Sequence, residues 1–157
     1  MDHDVSSPAA ITEALLTASR ALVAVAARSL AAADAEVTLP QYRALVVLAA
    51  KGPRRVGELA EALDIHPSTA TRLCDRLVEH KLVKRAVDRS NRRETSISLS
   101  AAGRALVDRV TEVRRSEIRT IVDRIPDELR RPAVIALLAF TEAAGEPPQE
   151  AWTLGWS

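Results

Sequence analysis

The chain has a single cysteine and very few aromatic side chains. Its 157 residues include two Trp, one Tyr and one Phe, so aromatics make up 3% of a composition that is 47% hydrophobic. One cysteine excludes an intramolecular disulfide framework and fits a reducing compartment. The core must therefore be aliphatic. The length suffices for one domain, or for a small domain with a dimerisation arm.

Targeting segments and catalytic motifs are also missing. The N-terminus lacks the basic and apolar regions of a signal peptide, and no uninterrupted apolar run reaches about 18 residues. The histidines at positions His3, His66 and His80 lack the spacing of a metal site. No phosphate-binding glycine loop and no nucleophile–base set is present. We expect a cytoplasmic protein with no membrane partner, no metal, no cofactor and no enzymatic activity.

Positive charge is weak overall but unevenly distributed. The formal net charge is +1, yet residues 51–100 hold eleven Lys and Arg against seven Asp and Glu. The remainder of the chain is therefore net negative. This concentration of positive charge indicates an anionic partner for the central segment.

Hydrophobic periodicity predicts a mostly helical chain with one β-hairpin. We expect helices at about 9–33, 38–52, 57–63, 67–80, 101–125 and 127–144, and strands at 82–87 and 94–99. Gly57 is the expected N-cap of the third helix, after Val56 in an extended conformation. Residues 1–8 are expected to form a flexible N-terminus and residues 145–157 an irregular tail.

The expected helix at 67–80 has an apolar face and a polar face. Ala70, Leu73, Cys74 and Leu77 follow the spacing of a helix packed on a core, so Cys74 is expected to be buried and inert. The other side begins with hydroxyl residues and continues with two arginines. The side chains expected to meet DNA are Ser68, Thr69, Thr71, Arg72 and Arg76.

The position of these residues favours base reading in the major groove. A recognition helix meets base edges mainly through its N-terminal residues, and Arg can bind guanine in bidentate fashion. Arg72 is favoured over Arg76, because Asp75 is an awkward neighbour for phosphate. The alternative is that both arginines only solvate an exposed face, pairing with Asp75 or Glu79. The short preceding helix, the three-residue turn and the basic hairpin that follows favour DNA.

The segment at 81–93 predicts a basic hairpin. Its basic residues are Lys81, Lys84, Arg85, Arg89, Arg92 and Arg93, with Asp88 as the one acid. An arginine at the tip of such a ribbon can enter a minor groove, whose negative potential attracts it. The alternative is a solvated hairpin whose charges prevent edge-to-edge pairing. We favour groove insertion.

Taken together, these stretches resemble the MarR family of transcriptional regulators over about residues 9–144. The matching segments are 39–45, 56–60, 66–73, 82–85, 88–93 and 97–103. The resemblance implies a mainly α fold with a small β-hairpin wing. A winged helix-turn-helix at about 38–100 would be flanked by dimerisation helices at about 9–33 and 101–144. It also implies a homodimeric repressor on a pseudo-palindromic operator in double-stranded DNA. The alternative is a winged-helix protein–protein interaction module without DNA binding.

The wing departs from the family pattern at one position. Asp88, a structural residue of the wing, and Arg93 match the pattern, but Ser90 stands where the family usually has an arginine. Arg89 or Arg92 would then take the groove-reaching role, and the residues leave both open.

Two further departures flank the expected recognition helix. His66 replaces the usual Ser or Thr before the helix, which predicts weaker capping. Lys81 replaces the usual glycine after it, which predicts strain if this residue is left-handed.

The resemblance also implies a small-molecule effector. Family members often bind phenolic or otherwise anionic compounds between the dimer arm and the winged helix. Tyr42, Arg43 and His66 lie in regions that would line such a crevice. Tyr42 and Arg43 are equally compatible with ordinary packing or surface roles.

Overall fold

The computed structural model describes residues 7–87 and 95–145, which form six helices and three short strands. In chain order these are α1 (Pro8–Ala32), α2 (Leu39–Lys51), β1 (Arg54–Arg55), α3 (Val56–Leu63), α4 (Pro67–Glu79), β2 (Val83–Val87), β3 (Thr95–Leu99), α5 (Ala101–Val122) and α6 (Asp127–Ala143). The prediction of a mainly helical fold with a small hairpin is confirmed. Of the expected bounds, the end of α5 was placed about three residues too late, because residues 123–125 form turns.

Local capping chemistry explains where the helices begin. Thr38 and Gln41 form a reciprocal capping box at α2, in which the Thr38 backbone N–H donates to Gln41 Oε1 at 2.8 Å. Ser100 Oγ accepts from the Gly103 backbone N–H at 2.9 Å at the start of α5. Gly103 is required there, since a Cβ at this position would lie 2.0 Å from the Leu82 carbonyl oxygen.

The start of α3 corrects the sequence analysis. The N-cap is Arg55, two residues earlier than the expected Gly57, and Val56 is the first helical residue. The Arg55 backbone N–H donates to Glu58 Oε2 at 2.8 Å, which closes the first turn of the helix early. The residues just before α3 pair with β3 as the unexpected strand β1.

The three strands form an antiparallel sheet in the order β1-β3-β2. Arg85 lies opposite Ile97, and Lys84 lies opposite Ser98. Residues paired directly across strands share a face of the sheet. Because Ile97 is fully buried, its face packs on the core and the face of Lys84 points to solvent.

The core sits between the sheet and the helices of the central segment and is aliphatic, as expected. Ala70, Leu73, Cys74 and Leu77 of α4 are all buried in it, which confirms the predicted apolar face. The other fully buried large side chains include Leu45, Leu48, Leu59, Ile97 and Val110.

The outer helices bury much less of their apolar surface. Helix α1 packs on α5, where Arg28 Nε pairs with Glu117 Oε2 at 3.0 Å, and α6 buries no residue at all. Among the described residues, α1 is also the helix whose length and mean hydropathy would suffice for a membrane span. The large apolar side chains left exposed on these helices include Ile11, Leu16, Leu22, Val23, Ile121, Leu129, Ile135, Leu137, Leu138 and Phe140. So many exposed large apolar side chains on three helices indicate a candidate interaction face.

Arg130 holds the junction between α5 and α6. Its Nε donates to the Ile125 carbonyl at 3.1 Å, and its Nη1 pairs with Asp127 at 2.7 Å. This side chain therefore satisfies a carbonyl exposed where α5 ends, and it fixes the turn into α6.

Candidate nucleic-acid interface

Helices α3 and α4 form a helix-turn-helix with the three-residue turn expected from the sequence. Asp64 adopts a left-handed conformation (φ 53°) that ends α3, a conformation that Asp tolerates better than most residues. The Ile65 backbone N–H then donates to the Ala60 carbonyl at 3.0 Å. These contacts turn the chain so that α4 packs its apolar side on the core and exposes its polar side.

His66 caps the N-terminus of α4. Its Nδ1 lies 3.3 Å from the Ser68 backbone nitrogen, which donates to it, and 2.8 Å from Ser68 Oγ. A backbone hydrogen bond of 3.3 Å lies beyond the usual range for N–H donors. Weaker capping than a Ser or Thr would provide stays a prediction.

The polar side of α4 exposes every residue of this helix that the sequence analysis assigned to DNA. Its members Ser68, Thr69, Thr71, Arg72 and Arg76 are all exposed. Thr71 Oγ1 donates to the Pro67 carbonyl at 3.0 Å, so its hydroxyl retains only acceptor capacity. Neither arginine side chain forms a hydrogen bond or ion pair with another residue in the described part of the chain, so the alternative pairing with Asp75 or Glu79 is not observed there.

Asp75 instead forms an ion pair with Arg85, which links the recognition helix to strand β2. The two side chains are 48% and 41% exposed. The pair offsets the negative charge on the DNA-facing helix and turns the Arg85 guanidinium toward α4. Sequence reasoning missed this contact, because the sheet register that brings residue 85 to the α4 side was not visible.

The base of the hairpin divides its two basic residues between opposite faces of the sheet. Lys84 is exposed on the outer face, whereas Arg85 lies on the side that faces α4. The expected wing-tip residues Asp88, Arg89, Ser90, Arg92 and Arg93 lie outside the described residues, as do His3 and the expected tail after residue 145.

Lys81 joins α4 to β2 in a left-handed conformation (φ 57°), as its place in the family pattern implied. Its backbone N–H donates to the Val78 carbonyl at 2.9 Å, and its own carbonyl accepts from Ser100 Oγ at 2.7 Å. A lysine in this region of backbone space is strained relative to glycine.

Cys74 is fully buried, as predicted. Burial raises the pKa of the Cys74 thiol, while the nearby Arg85 lowers this pKa and Asp75 raises it further. The thiol is therefore a poor nucleophile in the folded protein. In the described residues, no group of three or more His, Cys, Asp or Glu side chains is arranged to hold a metal ion.

The residues expected to line an effector crevice do not lie together. Tyr42 and Arg43 line a cleft of about 480 Å³ between α2 and the helix-turn-helix. His66 lines a separate cleft of about 450 Å³. Sequence reasoning missed Arg114 of α5, which lines the first cleft with Tyr42. Its position, one helical turn after the buried Val110, was the available signal.

A helix-turn-helix that exposes hydroxyl and arginine side chains beside an antiparallel hairpin is the architecture of a winged-helix DNA-binding protein. The sequence model of the MarR family matches residues 35–94. RV1404 from Mycobacterium tuberculosis is 46% identical, covers 92% of this chain and 98% of its own, and superposes with a TM-score of 0.84. The chain belongs to the MarR family of DNA-binding transcription regulators, which are not enzymes.

Two further relatives agree with this assignment. A MarR family protein from Bacillus stearothermophilus is 25% identical over 87% of this chain and 94% of its own, with a TM-score of 0.79. The HTH-type transcriptional regulator YpoP of Bacillus subtilis is 29% identical over 79 residues. That alignment covers 50% of this chain and 56% of YpoP, so it spans little more than half of that curated relative.

Proposed function

We propose that this chain is a cytoplasmic, homodimeric repressor that reads a pseudo-palindromic operator and leaves it when a small molecule binds. The observation that carries the proposal is the polar side of α4. It exposes the side chains of Arg72 and Arg76 without partners among the described residues, and Asp75 of the same helix pairs with Arg85 at the base of the hairpin.

Arg72 is the residue that we assign to base reading. It lies in the second turn of α4, close to the N-terminal hydroxyl residues, and its guanidinium can bind guanine O6 and N7 together. Arg76 lies four residues further along, about 6 Å along the helix axis. We assign Arg76 and Lys84 to the DNA backbone. Arg85 lies on the side of the hairpin that faces α4, but its pair with Asp75 holds it away from phosphate. We assign the wing-tip residues Arg89, Arg92 and Arg93 to the adjacent minor groove, with Arg89 or Arg92 reaching into it.

The homodimer is supported by the outer helices. The apolar side chains left exposed on α1, α5 and α6 would be covered by the same helices of a second copy. This reading also accounts for the hydropathy of α1 without a membrane. If two recognition helices enter successive major grooves, half-sites lie ~34 Å apart. Leu138→Glu on α6 should then shift the protein toward monomer in sedimentation, whereas Glu142→Gln on the same helix should leave the dimer intact.

Release by an effector is supported by the position of the cleft. Its walls include Tyr42 of α2, Arg114 of α5 and Leu73 of α4. A bound molecule would contact α2, α5 and the recognition helix α4 at the same time, so it can favour one arrangement of these helices over another. His66 lines the other cleft and is not among the walls of this one.

A gel-shift titration against DNA flanking the gene for this protein tests the proposal. We expect binding at low salt that weakens steeply as salt rises, because each phosphate contact releases counterions. Arg72→Ala should cost about 1–3 kcal/mol on the operator and much less on scrambled DNA. Arg115→Ala on α5 is the matched control and should change neither. Equal losses on both DNAs would contradict the role of Arg72, and no shift at low salt would favour a protein-interaction module.

A further inference from the structure

We propose that the cleft beside Tyr42 binds an aliphatic carboxylate, with its carboxylate on Arg114 and its chain against the aliphatic walls. This inference rests on the effector site proposed above and names the chemical class of its ligand. No position in the sequence pattern assigned a role to Arg114.

The guanidinium of Arg114 provides the anion site. Its Nε and Nη2 atoms are buried and have no hydrogen-bond partner among the described residues. These two nitrogens lie on the same edge of the guanidinium and donate in parallel, which is the geometry that a carboxylate accepts in bidentate fashion. Arginine stays ionised in proteins, and leaving its buried donors unpaired is costly. The site is therefore complementary to a carboxylate.

Tyr42 holds this guanidinium in place. The guanidinium carbon of Arg114 lies 5.3 Å from the centroid of the Tyr42 ring, within the range of a cation–π contact. The ring is 3% exposed, and its hydroxyl lies 3.4 Å from Thr111 Oγ1. The buried ring therefore orients the guanidinium of Arg114. Because its Nε and Nη2 atoms are closed to solvent, the side chains that cover them must move aside when a carboxylate binds.

The remaining walls favour an aliphatic body over an aromatic one. Apart from Tyr42, Arg43 and Arg114, the lining is Ala26, Leu39, Pro40, Val46, Leu63, Ile65 and Leu73. Among the described residues, no acidic, amide or hydroxyl side chain other than that of Tyr42 lines the cleft. Aromatic ligands gain from contact with other rings, but the face of the one ring here is turned to Arg114. The volume of about 480 Å³ suits a small molecule.

Calorimetric titration of the full chain without DNA tests the inference on the unaltered protein. Hexanoate, octanoate and decanoate should bind with rising affinity, roughly fourfold per methylene until the cleft is full. Octanol, which lacks the charge, should bind at least about tenfold more weakly than octanoate. Benzoate should bind more weakly than octanoate.

Substitutions on α5 test whether the ligand carboxylate binds at Arg114. Arg114→Met should weaken octanoate binding by about 10- to 100-fold, and Arg114→Lys should recover part of the loss because it keeps the charge without the bidentate edge. Arg115→Met is the matched control. Arg115 is the next residue on α5, its side chain is 57% exposed, and it pairs with Glu112. We expect this variant to bind octanoate unchanged.

Several results would overturn the inference. These are equal binding of octanol and octanoate, equal losses in the Arg114 and Arg115 variants, no binding at all, or tighter binding of benzoate than of octanoate. The octanol comparison needs no variant, so it holds even if an Arg114 variant fails to fold. The proposed function is judged separately by the gel shift. Octanoate binding that leaves the shift unchanged would support this ligand class while refuting release, and an intact shift without octanoate binding would refute the ligand class alone.

Discussion

The ion pair between Asp75 and Arg85 is the contact whose removal should change DNA binding in the most informative way. Asp75→Asn keeps the size and shape of the side chain but removes its charge. Arg85 is then released from α4, and one negative charge leaves the DNA-facing helix. Both effects favour phosphate, so we expect tighter binding to all DNA, and to scrambled DNA most of all.

The magnitudes follow from the exposure of the pair. With side chains 48% and 41% exposed, the pair stabilises the fold by at most about 1 kcal/mol. For a chain of this length, such a loss lowers the melting temperature by no more than about 4 °C. If Arg85 gains one phosphate contact per subunit, the slope of log affinity against log salt steepens by about 0.9 per subunit.

Fluorescence anisotropy with operator and scrambled DNA over a salt series measures that slope. Glu79→Gln is the matched control, since it removes one charge from the same helix but releases no arginine among the described residues. The double variant Asp75→Asn, Arg85→Met should return the slope to its original value. An unchanged slope for Asp75→Asn, or the same change for Glu79→Gln, would refute the reasoning.

Three further predictions concern stability. Gly103→Ala should destabilise the fold by about 2 kcal/mol or more in denaturant titrations, because its Cβ would lie 2.0 Å from the Leu82 carbonyl oxygen, whereas Gly57→Ala, with nothing within 4 Å, should not. Lys81→Gly should raise the midpoint of thermal unfolding, because the left-handed strain it relieves, about 1–2 kcal/mol, exceeds the entropic cost of glycine, about 0.5–1 kcal/mol. Because burial raises the pKa of Cys74 above its unfolded value of 9.0, its contribution to stability is complete below about pH 9 and is lost above it. Replacement by Ala should abolish that alkaline loss in pH-dependent unfolding.

Helix-start residues and hydrophobic spacing predicted the helices, because both act between residues that are close in sequence. Pro67 and the spacing of the apolar residues in α4 located the recognition helix to within one residue at its C-terminal end. Strand β1 was missed because it is only two residues long and exists through pairing with residues 96 and 97, far along the chain. These partner residues are so distant in sequence that the residues around β1 alone give no sign of the pairing.

The candidate site shows the same division. The exposed face of α4 follows from helical periodicity alone, so its five residues were assigned correctly to one surface. The cleft exists only where α2, α4 and α5 meet in three dimensions. Its guanidinium belongs to Arg114 of α5, far in sequence from the recognition helix. His66 lines a separate cleft, because nearness to the recognition helix in sequence does not decide which side of the turn a residue faces.

The weak packing of helix α6 in the single chain would make the activity of this protein depend on its own concentration. In the single chain it buries no residue and is held at its start by Arg130. Most of the stability of helices in proteins comes from packing, and Pro132 inside α6 weakens this helix further when it is not packed. If a second copy supplies its core, folding of this segment and assembly are one equilibrium, so its resistance to proteases should rise with protein concentration. Proteases that cleave within α6 would then degrade unassembled chains, which predominate at low protein concentration, before they degrade dimers. Operator occupancy would therefore rise more than proportionally with the total amount of protein.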